Sequence, residues 1–131
     1  MTLYELYDIA ENNNIDVDYF PMRKAVSLSI ENAIAIDVDK LNSSADEKAC
    51  LAHELGHCLQ GAFYNINTLE TRGRMEYKAD KWAITHLLPY PEFQTALTNG
   101  ITTSWELAEY FNLPESFIKK AFEFYNRSKQ P

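Results

Sequence analysis

The chain has 131 residues, of which 12 are basic and 19 acidic, giving a net charge of −7. A negative surplus repels phosphate backbones and disfavours general DNA or RNA binding. Its 46% hydrophobic and 24% charged residues are those of an ordinary globule. No apolar run approaches the roughly 18 residues needed to span a bilayer, so no membrane association is expected. One domain over residues 1–131 is expected, burying roughly two-thirds of its unfolded surface. Met1-Thr2-Leu3-Tyr4-Glu5 lacks the basic and apolar regions of a signal peptide, which predicts a cytoplasmic location.

Leu3, Leu6, Tyr7 and Ala10 recur at helical spacing and predict a helix over about residues 2–12, stopped by Asn12-Asn13-Asn14. Three alternating runs follow. Ile15, Val17 and Tyr19 alternate with Asp16 and Asp18. Val26, Leu28 and Ile30 alternate with Ser27 and Ser29. Ile34, Ile36 and Val38 alternate with Ala35, Asp37 and Asp39. This period predicts a half-buried antiparallel sheet of two or three strands, with a tight hairpin at Glu31–Ala33. If the Ile34–Val38 run is a sheet edge, an extended peptide could pair with it.

Ser44 and Glu47 form a capping box that opens a helix from about Ala45 to Gln60, ended by Gly61. This helix holds His53-Glu54-Leu55-Gly56-His57. Residues four apart share a helix face, so His53 and His57 can hold one metal ion. Glu54 sits one residue further round, within reach of a water on that metal. Gly56 costs about 1 kcal/mol relative to Ala, which a helix tolerates where a neighbour approaches its backbone closely. Cys50 and Cys58 lie on this helix about 12 Å apart along its axis. That separation is too long for a disulfide. Both are expected reduced and buried, with Cys50 conceivable as an extra ligand.

Ala62 to Arg74 lacks periodicity. Gly73 and the cluster Tyr64-Asn65-Ile66-Asn67 mark it as an irregular connection. A second helix is predicted from about Met75 to Leu88, ending before Pro89. Glu76, Asp80, Ala83 and Leu87 fall in one narrow sector of it. Two carboxylates on an apolar face call for a cation. Glu76 is thus the expected third ligand. Asp80 would accept a hydrogen bond from the second nitrogen of His53 or His57. His86 falls about 80° off this sector. A short helix is predicted over Glu92 to Leu97, ended by Asn99-Gly100. Thr103 and Glu106 form a second capping box, opening a helical hairpin over about residues 102–128 with a break at Asn112-Leu113-Pro114. Its outline is that of a helix-turn-helix, but the weakly basic tail and aromatic spacing fit a structural hairpin better than a DNA reader.

Taken together, His53-Glu54-Leu55-Gly56-His57, Glu76-Tyr77-Lys78-Ala79-Asp80-Lys81-Trp82-Ala83 and Leu87-Leu88-Pro89 resemble the ImmA/IrrE family of zinc metallopeptidases. Glu106-Leu107-Ala108 to Phe111-x-Leu113 is similar to that family's helical hairpin. The resemblance spans about residues 45–122. The Glu76-x-x-x-Asp80 spacing is also similar to that of the thermolysin-like gluzincins, where the Glu binds zinc and the Asp orients a ligand His.

The expectation is therefore an α+β, zincin-like fold with a short sheet packed on the active-site helix and several further helices. Zn²⁺ would be held by His53, His57 and Glu76, with Glu54 as general base and Asp80 behind a ligand. Tyr64, Tyr77, Tyr90 and His86 are candidate donors to the oxyanion. The resemblance implies a cytoplasmic peptidase of a phage or mobile element, acting on a protein substrate such as a helix-turn-helix repressor. The competing reading is a metal-containing regulatory protein that binds a repressor without cutting it.

Overall fold

The structure, a computed structural model, describes residues 1–64 and 69–128. Elements run α1 (Leu3–Asn12), β1 (Asp16–Tyr19), β2 (Ser27–Ile30), β3 (Ala33–Ile36), α2 (Ser44–Leu59), α3 (Leu69–Leu87), α4 (Tyr90–Thr98), α5 (Ser104–Phe111) and α6 (Glu115–Ser128). One apolar cluster joins them, drawing Leu6 from α1, Ile34 and Ile36 from β3, Leu51 and Leu55 from α2, Ile84 from α3, Phe93 from α4, Leu107 from α5 and Ile118 from α6. The α+β class follows from six α-helices and a three-stranded sheet among the described residues.

The sheet departs from expectation in three ways. Its order is β1-β3-β2, with β1 parallel to β3 and β2 antiparallel to it. It is therefore mixed rather than antiparallel. The hairpin between β2 and β3 is the expected tight one, turning at Glu31-Asn32 with Asn32 at φ 66°. The Glu31-Asn32 turn makes β2 and β3 antiparallel. The segment between β1 and β2 lets β1 lie on the far side of β3. Second, β3 is central, so the edge beside α2 is β2 and not the Ile34–Val38 run.

Third, β2 has the opposite facing to the one hydropathy suggests. Ser27 pairs with Ile36 and Ser29 with Ile34, so both serines share the inner face with two buried isoleucines. Leu28 and Ile30 point outward and are 54% and 68% exposed. Turning two such side chains out forgoes roughly 1.5–3 kcal/mol each of apolar burial. Shifting a strand by one residue swaps its faces, so this register needs a compensating polar contact inside.

Hydroxyls set the starts of α1, α2 and α5. Ser43, not Ser44, caps α2 and accepts from the Asp46 N–H at 3.3 Å. Thr103 caps α5 and accepts from the Glu106 N–H at 3.3 Å, as the sequence predicts. Helix α3 begins at Leu69, earlier than its apolar periodicity shows, and it includes Gly73. The expected irregular connection is thus partly helical, and its Asn65-Ile66-Asn67 portion lies outside the described residues. The buried Lys48 on α2 donates to the Phe111 carbonyl at 2.9 Å, tying the end of α5 to α2.

Helices α2 and α3 meet at Gly56. A Cβ placed there would lie 2.7 Å from the Ala79 carbonyl oxygen and 2.9 Å from its Cα. Alanine would gain about 1 kcal/mol of helix propensity. The clash is with backbone, which cannot rotate away, so it wins. Gly56→Ala is expected to destabilise the fold by about 3 kcal/mol, seen as a lower urea midpoint. An unchanged midpoint would mean the two helices are not in the contact described.

Candidate metal centre

Two facing helices build the centre. His53 and His57 lie one turn apart on α2, and Glu76 and Asp80 one turn apart on α3. The Gly56–Ala79 contact brings these two pairs together. His53 Nε2 is 3.2 Å from His57 Nε2 and 2.9 Å from a Glu76 carboxylate oxygen. His57 Nε2 is 3.4 Å from the other Glu76 oxygen. Among the described residues, His53, His57 and Glu76 are the one group of three potential ligands whose atoms converge in this way. Cys50 does not join them. Burial and the nearby carboxylates of Glu54, Asp46 and Glu47 outweigh a lowering contact with Ser27 and leave its thiol above the ordinary value, a poor state for ligation. Both cysteines are free, but each is half-buried rather than buried as expected.

The outer nitrogens fix the tautomers. His53 Nδ1 lies 2.9 Å from Asp80 Oδ1, and His57 Nδ1 faces the Ala62 carbonyl oxygen. Both partners only accept, so each Nδ1 carries hydrogen. In a neutral ring the Nε2 then presents a lone pair. Two such nitrogens and a carboxylate face one another at hydrogen-bond distance. Either a proton or a metal ion must sit among them. Ligands about 2.0–2.1 Å from a tetrahedral zinc lie about 3.3 Å apart. The two Nε2 atoms, 3.2 Å apart, lie close to that spacing, and the Glu76 oxygens stand nearby, Oε2 at 2.9 Å from His53 and Oε1 at 3.4 Å from His57.

Asp80 is shared. It also receives Lys120 of α6 at 3.3 Å, which links the C-terminal hairpin to the centre. Burial works against ionising Asp80, but the His53 hydrogen bond and Lys120 outweigh it, and its carboxyl sits below the ordinary value. Burial likewise opposes charge on His53. The Asp80 hydrogen bond and charge, with Glu54 and Glu76, outweigh it and raise the imidazole. Glu76 is opposed by burial yet lowered by the Tyr64 hydroxyl and both histidines.

Glu54 is buried at 6% exposure, and both its oxygens are gripped by β2. Ser27 Oγ donates to Oε2 and Ser29 Oγ to Oε1, each at 2.7 Å. Sequence reasoning missed these two hydroxyls because it read the strand's alternation with its aliphatic residues inward. A cleft of about 260 Å³ opens here, lined by Ser27, Leu28, Ser29, His53, Glu54, His57, Phe63, Tyr64 and Glu76. A second cavity of about 430 Å³ shares Ser27, His53 and Glu76 and runs toward Phe117 and Lys120.

Of the four candidate donors, Tyr64 alone lines the cleft. Its hydroxyl donates to Glu76 Oε1 at 2.6 Å. Tyr77 sits on the outer side of α3, Tyr90 packs on Tyr125 with ring centroids 5.1 Å apart, and His86 stacks on Trp82 at 4.1 Å.

A family model described as the IrrE N-terminal-like domain, Peptidase_M78, matches residues 10–123. The chain belongs to that family. No curated protein and no solved structure matches it. The match covers every residue of the centre, and this Peptidase_M78 chain carries a His-His-Glu group that could hold a metal ion. Membership marks it as a peptidase acting on protein. Among the described residues no helix is long and apolar enough to cross a membrane.

A proton and a metal ion would compete for His53. Only the neutral ring can ligate, and its proton is held more tightly than in an ordinary histidine of about 6.5. Glu76 is lowered and already charged throughout that range. Zinc affinity should therefore fall with falling pH from a bend lying above about 6.5. Asp80→Asn should move that bend down and weaken binding about 10-fold or more at neutral pH. Calorimetric titration across the range checks both. A bend unmoved by Asp80→Asn would contradict the role given to Asp80.

Proposed function

We propose that this chain is a zinc-dependent endopeptidase, with His53, His57 and Glu76 as ligands, Glu54 as general base and Asp80 orienting His53. The observation that carries the reading is the mutual approach of the His53 and His57 Nε2 atoms and the Glu76 carboxylate at 2.9 to 3.4 Å, in a chain of a peptidase family. Two neutral imidazoles and one carboxylate would leave a zinc ion a net charge of +1, enough to polarise a carbonyl and lower a water's pKa to about 7.

The chain's own groups supply the rest. Glu54 takes the proton of the attacking water and delivers it to the departing amine. Asp80 holds the His53 ring in the tautomer that leaves Nε2 free. Tyr64 turns its hydroxyl from Glu76 to the scissile carbonyl oxygen as negative charge develops there. The substrate lies extended along β2, pairing with the sheet edge beside the cleft. The resemblance to ImmA/IrrE proteins supports a helix-turn-helix repressor of a phage or mobile element as that substrate, met in the cytoplasm.

Variants separate the roles. Glu54→Ala should keep zinc and lose about 100- to 10,000-fold in kcat on a fluorogenic peptide library. His57→Ala and Glu76→Ala should lose zinc itself, measured by metal content after dialysis. Tyr64→Phe should keep zinc and lose about 100-fold in kcat. Full repressor inactivation by Glu54→Ala would favour binding without cleavage. Wild-type zinc affinity in Glu76→Ala would remove the third ligand.

A further inference from the structure

We propose that Ser27 and Ser29 are positioning residues that aim the Glu54 carboxylate. The edge strand β2 then orients the general base as well as lining the cleft. This rests on the endopeptidase reading and adds to it two residues outside the His-Glu-x-x-His stretch.

The geometry is a clamp. Ser27 and Ser29 are two apart on one strand, so their side chains leave the same face. Each donates to a different oxygen of one carboxylate at 2.7 Å. The last torsion of a glutamate is soft, with a broad range of orientations. Two donors fixed to a backbone that is itself paired with β3 remove that freedom. A carboxylate offers about four lone-pair sites. The clamp uses one on each oxygen and leaves one on each for a water. When Glu54 acts, an O–H bond of water breaks and an Oε–H bond forms at a free lone pair. The serines donate throughout and neither gain nor lose a proton.

The strand's facing supports the assignment. Val26, Leu28 and Ile30 are all turned out, at 38%, 54% and 68% exposure. Apolar burial would favour the opposite face. The inner face instead carries the two hydroxyls that reach Glu54. A carboxylate needing only hydrogen bonds could have taken them from water at the cleft mouth.

The test uses zinc-loaded full-length protein and the single variants Ser27→Ala and Ser29→Ala, the double variant, and Ser27→Thr with Ser29→Thr. Zinc content and the folded fraction at the assay temperature are measured first. Each Ala variant should lose about 10-fold in kcat and the double about 100-fold, with KM and zinc unchanged. The Thr variants, which keep the hydroxyls, should recover most of the loss. Crystal structures of the zinc-loaded wild type and double variant give a readout independent of turnover. Glu54 should hold one orientation in the first and several in the second. Wild-type kcat in the double variant, or an unmoved Glu54, would overturn the proposal while leaving the peptidase reading intact. If the wild type cleaves nothing, the peptidase reading fails, and the Glu54 orientation alone decides the clamp.

Discussion

The structure depends on one backbone contact, the approach of α2 to α3 where Gly56 meets Ala79. A side chain at Gly56 would hold the helices apart. With none, the histidine pair of one helix and the carboxylate pair of the other come within hydrogen-bond distance. The apolar cluster behind the contact keeps it closed, drawing Leu51 and Leu55 from α2 and Ala83, Ile84 and Leu87 from α3. A glycine that weakens its own helix thus sets the spacing of the whole centre.

Around that contact the polar groups are arranged in shells that satisfy one another. His53 is backed by Asp80, and Asp80 by Lys120. His57 is backed by a carbonyl, Glu76 by Tyr64 and Glu54 by two serines. Among the described residues no buried side-chain nitrogen or oxygen lacks a partner. A site so completely supported is held in place before any ligand arrives, which limits reorganisation during chemistry. The C-terminal hairpin takes part through Lys120 on α6 and Lys48 on α2, so it serves the centre as packing and as charge.

Much of this was legible in the residues. The spacing of His53 and His57 put two imidazoles on one face, and Glu76 with Asp80 marked two carboxylates on an otherwise apolar helix face. Gly56 announced a close approach without naming the neighbour. What was hidden depends on contacts between distant segments. The parallel pairing of β1 with β3 leaves no local mark, because strand order is decided by the chain between them. The facing of β2 was misread because hydropathy assigns aliphatic residues inward, and only the buried Glu54 reverses that choice. Lys120 lies 40 residues from Asp80 and carries no signal of its role.

The central claim is that one metal ion is held by His53, His57 and Glu76. Diffraction from zinc-soaked crystals at wavelengths either side of the zinc edge measures it directly. The account predicts a single anomalous peak about 2.0–2.2 Å from both Nε2 atoms and a Glu76 oxygen. A peak held by Cys50 or by Glu54 in place of Glu76, or no peak between α2 and α3, would contradict it.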